Sequence, residues 1–151
     1  MSSTQAFVRR SRPRLRVPDS TYFVTWRLGK AQRPLQAVER DEVAGAIRHF
    51  DGERYHLHAW VVMDDHVHVV VHPIAPATID DITHSWRSFS AHALCVSHGR
   101  SPPIWQRGSH DRIVFENGQL EAKVAYVRAN PTRRWPELAT YAWVWPAWTP
   151  G

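Results

Sequence analysis

Met63-Asp64-Asp65-His66-Val67-His68-Val69-Val70-Val71 sets two imidazoles one residue apart at the head of an apolar, β-branched run. Successive side chains of a strand alternate between faces. His66 and His68 therefore project side by side, within reach of one metal ion, while Val67, Val69 and Val71 enter a core on the other face. Upstream, Tyr55-His56-Leu57-His58-Ala59-Trp60-Val61-Val62-Met63 is equally rich in strand formers. Only Asp64-Asp65 separates the two runs, which predicts a tight hairpin. Pairing Met63 with His66 sets Val61 opposite His68. The imidazoles then share a face with Leu57, Ala59, Val61 and Met63. On that register His56 and His58 fall on the opposite face and read as structural.

Working outward, Thr21 to Leu28 is aromatic and β-branched and reads as a first strand. Leu35 to Phe50 reads as a helix with Val38, Val43, Ile47 and Phe50 as its apolar positions, ended by Asp51-Gly52. After Pro73 and Pro76, Thr78 or Asp80 caps a second helix to about Ser97, with Ile79, Ile82, Trp86, Phe89 and Ala93 on one stripe. Ile104-Trp105-Gln106 and Asp111 to Phe115 read as a fourth strand. Asn117 caps a third helix, Gly118 to Ala129, stopped by Asn130-Pro131. The order β-α-β-β-α-β-α predicts an α+β, ferredoxin-like antiparallel sheet with an additional C-terminal helix. That helix is placed to cover the face where the imidazoles point. The chain divides into an arm over 1–19, a domain over 20–131, and a Trp- and Pro-rich tail over 132–151. Trp135, Trp143, Trp145 and Trp148 read as pinning that tail to the body.

At 151 residues the chain is one domain, 43% apolar. Its single cysteine, Cys95, excludes an internal disulfide and a four-thiolate metal site. No apolar run reaches the length of a membrane span, and a cytoplasmic protein is expected. The formal net charge is +5, and residues 1–16 hold five arginines (Arg9, Arg10, Arg12, Arg14 and Arg16) and no acid. The remainder of the chain is balanced. Such an arm suits an acidic polymer, most simply nucleic acid; a solvated tail is the plain alternative.

On a helical wheel of about 100° per residue, with Leu120 at zero, Val124 and Val127 fall within about 40° and form a packing stripe. Gln119, Lys123, Tyr126 and Asn130 gather between about 240° and 300° on a second stripe. A metal held by the amide oxygen of Asn130 would sit near the phenol of Tyr126. A phosphate on that metal would face the tyrosine, a poor nucleophile at its free pKa of about 10. The metal and a cation such as Lys123 would both help it attack. The products are a covalent phosphotyrosine and a free hydroxyl, so the strand can be rejoined without ATP.

Met63 to Val71, then Trp105-Gln106-Arg107-Gly108, then Ala125-Tyr126-Val127-Arg128-Ala129-Asn130-Pro131 resemble the single-tyrosine HUH transposases of the IS200/IS605 type, and most closely their REP-associated tyrosine transposase (RAYT) branch. The resemblance runs from about Tyr22 to Trp145. It implies His66 and His68 as metal ligands, Asn130 as the third, Tyr126 as nucleophile, and Mg²⁺ or Mn²⁺ as cofactor. It also implies cleavage of single-stranded DNA beside a hairpin, a REP-like palindrome, leaving a 5′-phosphotyrosine and a 3′-hydroxyl, in a bacterial, nucleoid-associated protein. The family's usual Pro-Asn before the histidines is Asp64-Asp65 here, and Arg87 stands where lysine is common. Arg87, Arg107, Arg112 and His110 are candidates to line the DNA path. Trp105 is a candidate to stack a base, set against a role in the core. Two other readings stand beside this one: a hairpin-DNA or RNA binding relic that no longer cleaves, and an unrelated ferredoxin-like metalloenzyme. A monomer is expected, because no long apolar edge asks for a partner.

Overall fold

A computed structural model describes residues 15–115 and 118–147. The elements follow in the order β1 (Thr21–Arg27), α1 (Ala37–Arg48), β2 (Tyr55–Val62), β3 (His66–Pro73), α2 (Ile79–His98), β4 (His110–Val114), α3 (Gln119–Arg134) and β5 (Val144–Trp145). The strands form one antiparallel sheet in the order β4-β1-β3-β2-β5. Four of them have the expected ferredoxin-like arrangement, and β5 is an addition that the irregular tail did not announce.

β3 alternates as its sequence dictates. Val67, Val69 and Val71 enter a core under α1 and α2, together with Val24, Trp26, Val43, Ile47, Ile82 and Trp86. Each such aliphatic side chain contributes roughly 1.5–3 kcal/mol by leaving water. Two of the polar atoms in this core are paired, Trp86 Nε1 donating to Tyr55 Oη at 3.0 Å and Tyr55 Oη donating to the Ile47 carbonyl, whereas the indole N–H of Trp26 has no side-chain or backbone partner. The opposite face packs Ala59, Val61, Met63 and Val70 against Val127 of α3 and Tyr141 and Val144 of the tail. Tyr141 closes it by donating to the Val62 carbonyl at 2.7 Å.

The hairpin register is the expected one, Val61 opposite His68, with Met63 N donating to His66 O at 2.8 Å. It does not persist. A bulge at His58 shifts pairing from Ala59↔Val70 to Leu57↔Val71. One extra residue flips the faces beyond it, so Leu57 joins the α1/α2 core and not the imidazole face. His56, paired with His72, stands on the same face as His66 and His68, not the opposite one.

Other departures have equally local causes. Phe89 and Val38 are exposed. In α2 the buried slot one turn after Trp86 goes to Ser90, which accepts from Trp105 Nε1 at 3.0 Å. Ile104 and Trp105 are buried but form no strand, only a bridge from Trp105 to Leu28. α2 ends at Gly99, whose φ of 68° is the left-handed cap that glycine adopts without strain. α3 starts at Gly118 and does not stop at Asn130-Pro131; Asn117 lies outside the described residues. The helix continues one turn to Arg134, with Trp135 N donating to Pro131 O at 2.7 Å. Trp135 stacks on Tyr141 and Trp143 meets it edge-on, and Trp143 Nε1 donates to Asp41 of α1 at 2.7 Å. Trp145 is 44% exposed on β5, and Trp148 lies outside the described residues. Among the described residues no helix is long and apolar enough to cross a membrane.

Candidate active site

β3 delivers His66 and His68 to the sheet face covered by α3, with ring centroids 4.7 Å apart and planes at 71°. Each ring is held at Nδ1. Asp65 Oδ1 lies 2.7 Å from His66 Nδ1, and an ionised carboxylate only accepts, so the proton is on that nitrogen. Thr25 Oγ1, on β1 directly opposite His68, lies 2.7 Å from His68 Nδ1. Asp65 thus leaves the Nε2 lone pair of His66 free for a ligand, the usual way a protein presents a histidine to a metal, while the Thr25 hydroxyl, which can donate or accept, fixes the His68 ring through Nδ1. Burial, then the positive surroundings of His66, Arg27, Arg133 and Lys123, push His68 down to about 3, so it stays neutral as a ligand must. Asp65 is raised by burial, but His66 and Arg134 outweigh that and hold its carboxyl below the usual range.

α3 supplies the third donor. Asn130 is buried, and its Oδ1 lies 3.3 Å from His66 Nε2. The amide is oriented by Nδ2, which donates to the Tyr126 carbonyl at 3.3 Å. Two lone pairs thus face one another, and only a cation resolves that: a proton on Nε2, or a metal ion. Among the described residues no three His, Cys, Asp or Glu side chains converge to hold a metal. Asn130 Oδ1 is the group that could complete a donor set with the two imidazoles. Two imidazole nitrogens and one amide oxygen are neutral, and suit a divalent cation that keeps positions open for phosphate oxygens.

Tyr126 is on the same helix edge, 41% exposed. Its ring meets His68 edge-on at 5.5 Å and 67°, and Phe23 at 5.9 Å and 81°. Lys123 Nζ stands 4.8 Å from the Phe23 centroid and 5.9 Å from that of Tyr126. Arg133 lies over the Tyr126 ring with Cζ at 4.2 Å, and its Nη2 donates to the Tyr126 carbonyl at 3.3 Å. Arg134 ties the end of α3 to the hairpin turn, 3.1 Å from Asp64 and 3.4 Å from Asp65. The structure thus brings His66, His68, Asn130, Tyr126 and Lys123 together.

The DNA-contact candidates scatter. Arg9, Arg10, Arg12 and Arg14 lie outside the described residues. Arg16 turns inward, bonded to Asp80 at 2.8 Å and Asp111 at 2.7 Å, which raises its pKa further and makes it an anchor. Arg87 and Trp105 stand on the α2 side of the sheet, away from the imidazoles: Arg87 Nη2 donates to Gln106 O at 3.3 Å, and Trp105 is buried edge-on to Trp26. Trp105 is thus a core residue, because its indole N–H is satisfied by Ser90 and its ring fills space beside Trp26. Arg107 is exposed in the loop before β4. Arg112 and His110 pair with Phe23 and Thr25, so they join the imidazole face.

Thr25, Phe23, Arg27, Arg133 and Arg134 escape the sequence reading. The first three depend on the β1–β3 register, which no local pattern fixes. Arg133 was legible: continued past Pro131, the wheel puts it at about 220°, beside Tyr126.

No family model matches the chain, and no curated protein matches it significantly in sequence. Solved structures do match it in fold, among them two transposases. A REP-associated tyrosine transposase bound to a REP hairpin superposes with a TM-score of 0.72 at 18% identity, covering 87% of this chain and 79% of that one. A protein of Deinococcus radiodurans R1 described as a transposase superposes with a TM-score of 0.55 at 18% identity, covering 79% of this chain and 95% of that one. The chain has the α/β fold of these transposases, as its three sequence blocks led us to expect.

Proposed function

We propose that this protein is a metal-dependent single-stranded DNA endonuclease and strand transferase of the HUH type. It cuts beside a hairpin such as a REP-like palindrome. The observation that carries the reading is the convergence of Tyr126 on His68 while Asn130 Oδ1 faces His66 Nε2. The neighbour of like fold is bound to a REP hairpin, which supports hairpin DNA as the partner.

His66, His68 and Asn130 would hold Mg²⁺ or Mn²⁺, which when bound polarises the phosphate and neutralises developing charge. Tyr126 Oη attacks phosphorus, its O–P bond forms, and the P–O3′ bond breaks. The phenol proton is lost and the departing 3′ oxygen gains one, leaving a 5′-phosphotyrosine and a 3′-hydroxyl. Lys123 supplies positive charge beside the ring. The strand and helix that bring these groups together belong to one chain, which supports action as a monomer.

The test separates metal from binding. His66→Ala should lose the covalent adduct formed with hairpin-bearing single-stranded DNA and Mn²⁺, yet bind that DNA in EDTA like the wild type. A variant that still forms the adduct removes His66 from the chemistry. A wild type that binds the hairpin but forms no adduct favours a binding protein without cleavage.

A further inference from the structure

Arg16, Arg100 and Arg134 are each paired with carboxylates: Asp80 and Asp111, Glu39, and Asp64 and Asp65. Among the described residues no carboxylate pairs with Arg27, Lys123 or Arg133. These three converge on one place. Arg27 is exposed at the end of β1, directly opposite His66. Arg133 lies on the Tyr126 ring, and Lys123 stands over Phe23 beside it. Arg27 shares the β1 face of Phe23 and Thr25, and Thr25 holds the His68 ring that meets Tyr126 edge-on.

Like charges gathered without counter-ions repel one another, and an anion relieves that. Arg133 is prepared for one. Stacking on Tyr126 and one bond to its carbonyl fix the guanidinium, and most of its five N–H donors remain for a ligand. A planar fork held beside the nucleophile matches two oxygens of a phosphate.

We propose that Arg27 and Arg133 form a phosphate subsite that holds the phosphodiester attacked by Tyr126, and that this subsite is complete without the metal. The proposal rests on the reading of Tyr126 as nucleophile for which phosphate is held, but not for the existence of the subsite.

Three measurements test it with the full-length protein. The first is binding of single-stranded oligo-dT in EDTA across a salt series. Arg27→Gln/Arg133→Gln should bind about tenfold more weakly at low salt, and its log–log salt slope should fall by about 1.4, two contacts at about 0.7 each on a single strand. Arg27→Lys/Arg133→Lys should keep the slope. Unchanged affinity and slope in the glutamine pair overturns the subsite. The second scans a hairpin-bearing oligonucleotide with single neutral methylphosphonates. One linkage should weaken the wild type and not the glutamine pair. The third maps the cleaved linkage with Mn²⁺. If the coupled linkage is not the cleaved one, the subsite does not hold the attacked phosphate. If the wild type never cleaves but the slope falls as stated, the subsite stands and the nucleophile reading fails.

Discussion

Thr25 and Asp65 decide what the two histidines can do, because each takes the Nδ1 side of a ring and leaves Nε2 outward. Partners of this kind are worth ~10–100-fold in metal affinity. Thr25→Val keeps the shape and removes the oxygen, so Mn²⁺ affinity measured by calorimetry should drop within that range while the fold melts much as before. An unchanged affinity would mean that ring packing alone orients His68. His66 and His68 were legible from spacing, since alternation in a strand needs nothing else. Thr25 was not, because its role exists only once β1 lies beside β3. Asp65 was visible as a departure from Pro-Asn; its use as a hydrogen-bond acceptor for His66 was not.

Elements show where local rules were overridden. Pro131 lacks an N–H and costs about 3 kcal/mol inside a helix, which is why the sequence reads as ending there. The last turn survives because Pro131 is itself buried, and because side chains beyond it are tied back: Arg133 donates to the Tyr126 carbonyl, and Arg134 pairs with Asp64 and Asp65. The bulge at His58 has no sequence signature, so the reading put His56 on the wrong face. The Arg100–Glu39 pair joins the end of α2 to the start of α1, both side chains within 1% of complete burial. Arg100 also donates to the Arg33 carbonyl at 2.8 Å and the Pro34 carbonyl at 3.0 Å, fixing the loop before α1. Removing one partner strands the other, so Glu39→Gln should cost ~3–5 kcal/mol in urea unfolding. The hydrogen bond from Arg100, against the cost of burial, holds Glu39 down to about 2 from 4.5. Its depressed pKa means that the stabilisation is present above about pH 4.5 and is lost as pH falls towards about 2. The wild type should show that acid loss and Glu39→Gln should lack most of it.

At the scale of the whole molecule the sheet is a partition. α1 and α2 fill one side, where Trp105 and Arg87 stand. The other side, under α3, carries the histidines, Tyr126, and Arg27, Lys123 and Arg133. Linear sequence cannot assign a side, which is why the residues proposed to contact DNA were read as one set and lie on two faces. Arg16 is clamped between α2 and β4. Deleting residues 1–14 should flatten the salt dependence of DNA binding by up to about 0.7 for each of their four arginines that meets a phosphate.

The account stands on one bond, between Tyr126 and a DNA 5′-phosphate. Full-length protein is incubated with hairpin-bearing single-stranded DNA and Mn²⁺, digested, and its peptides sequenced by tandem mass spectrometry. The account predicts a nucleotide joined to Tyr126 through its 5′-phosphate, and no adduct with Tyr126→Phe. A nucleotide on any other residue, or an adduct that persists in Tyr126→Phe, would contradict it.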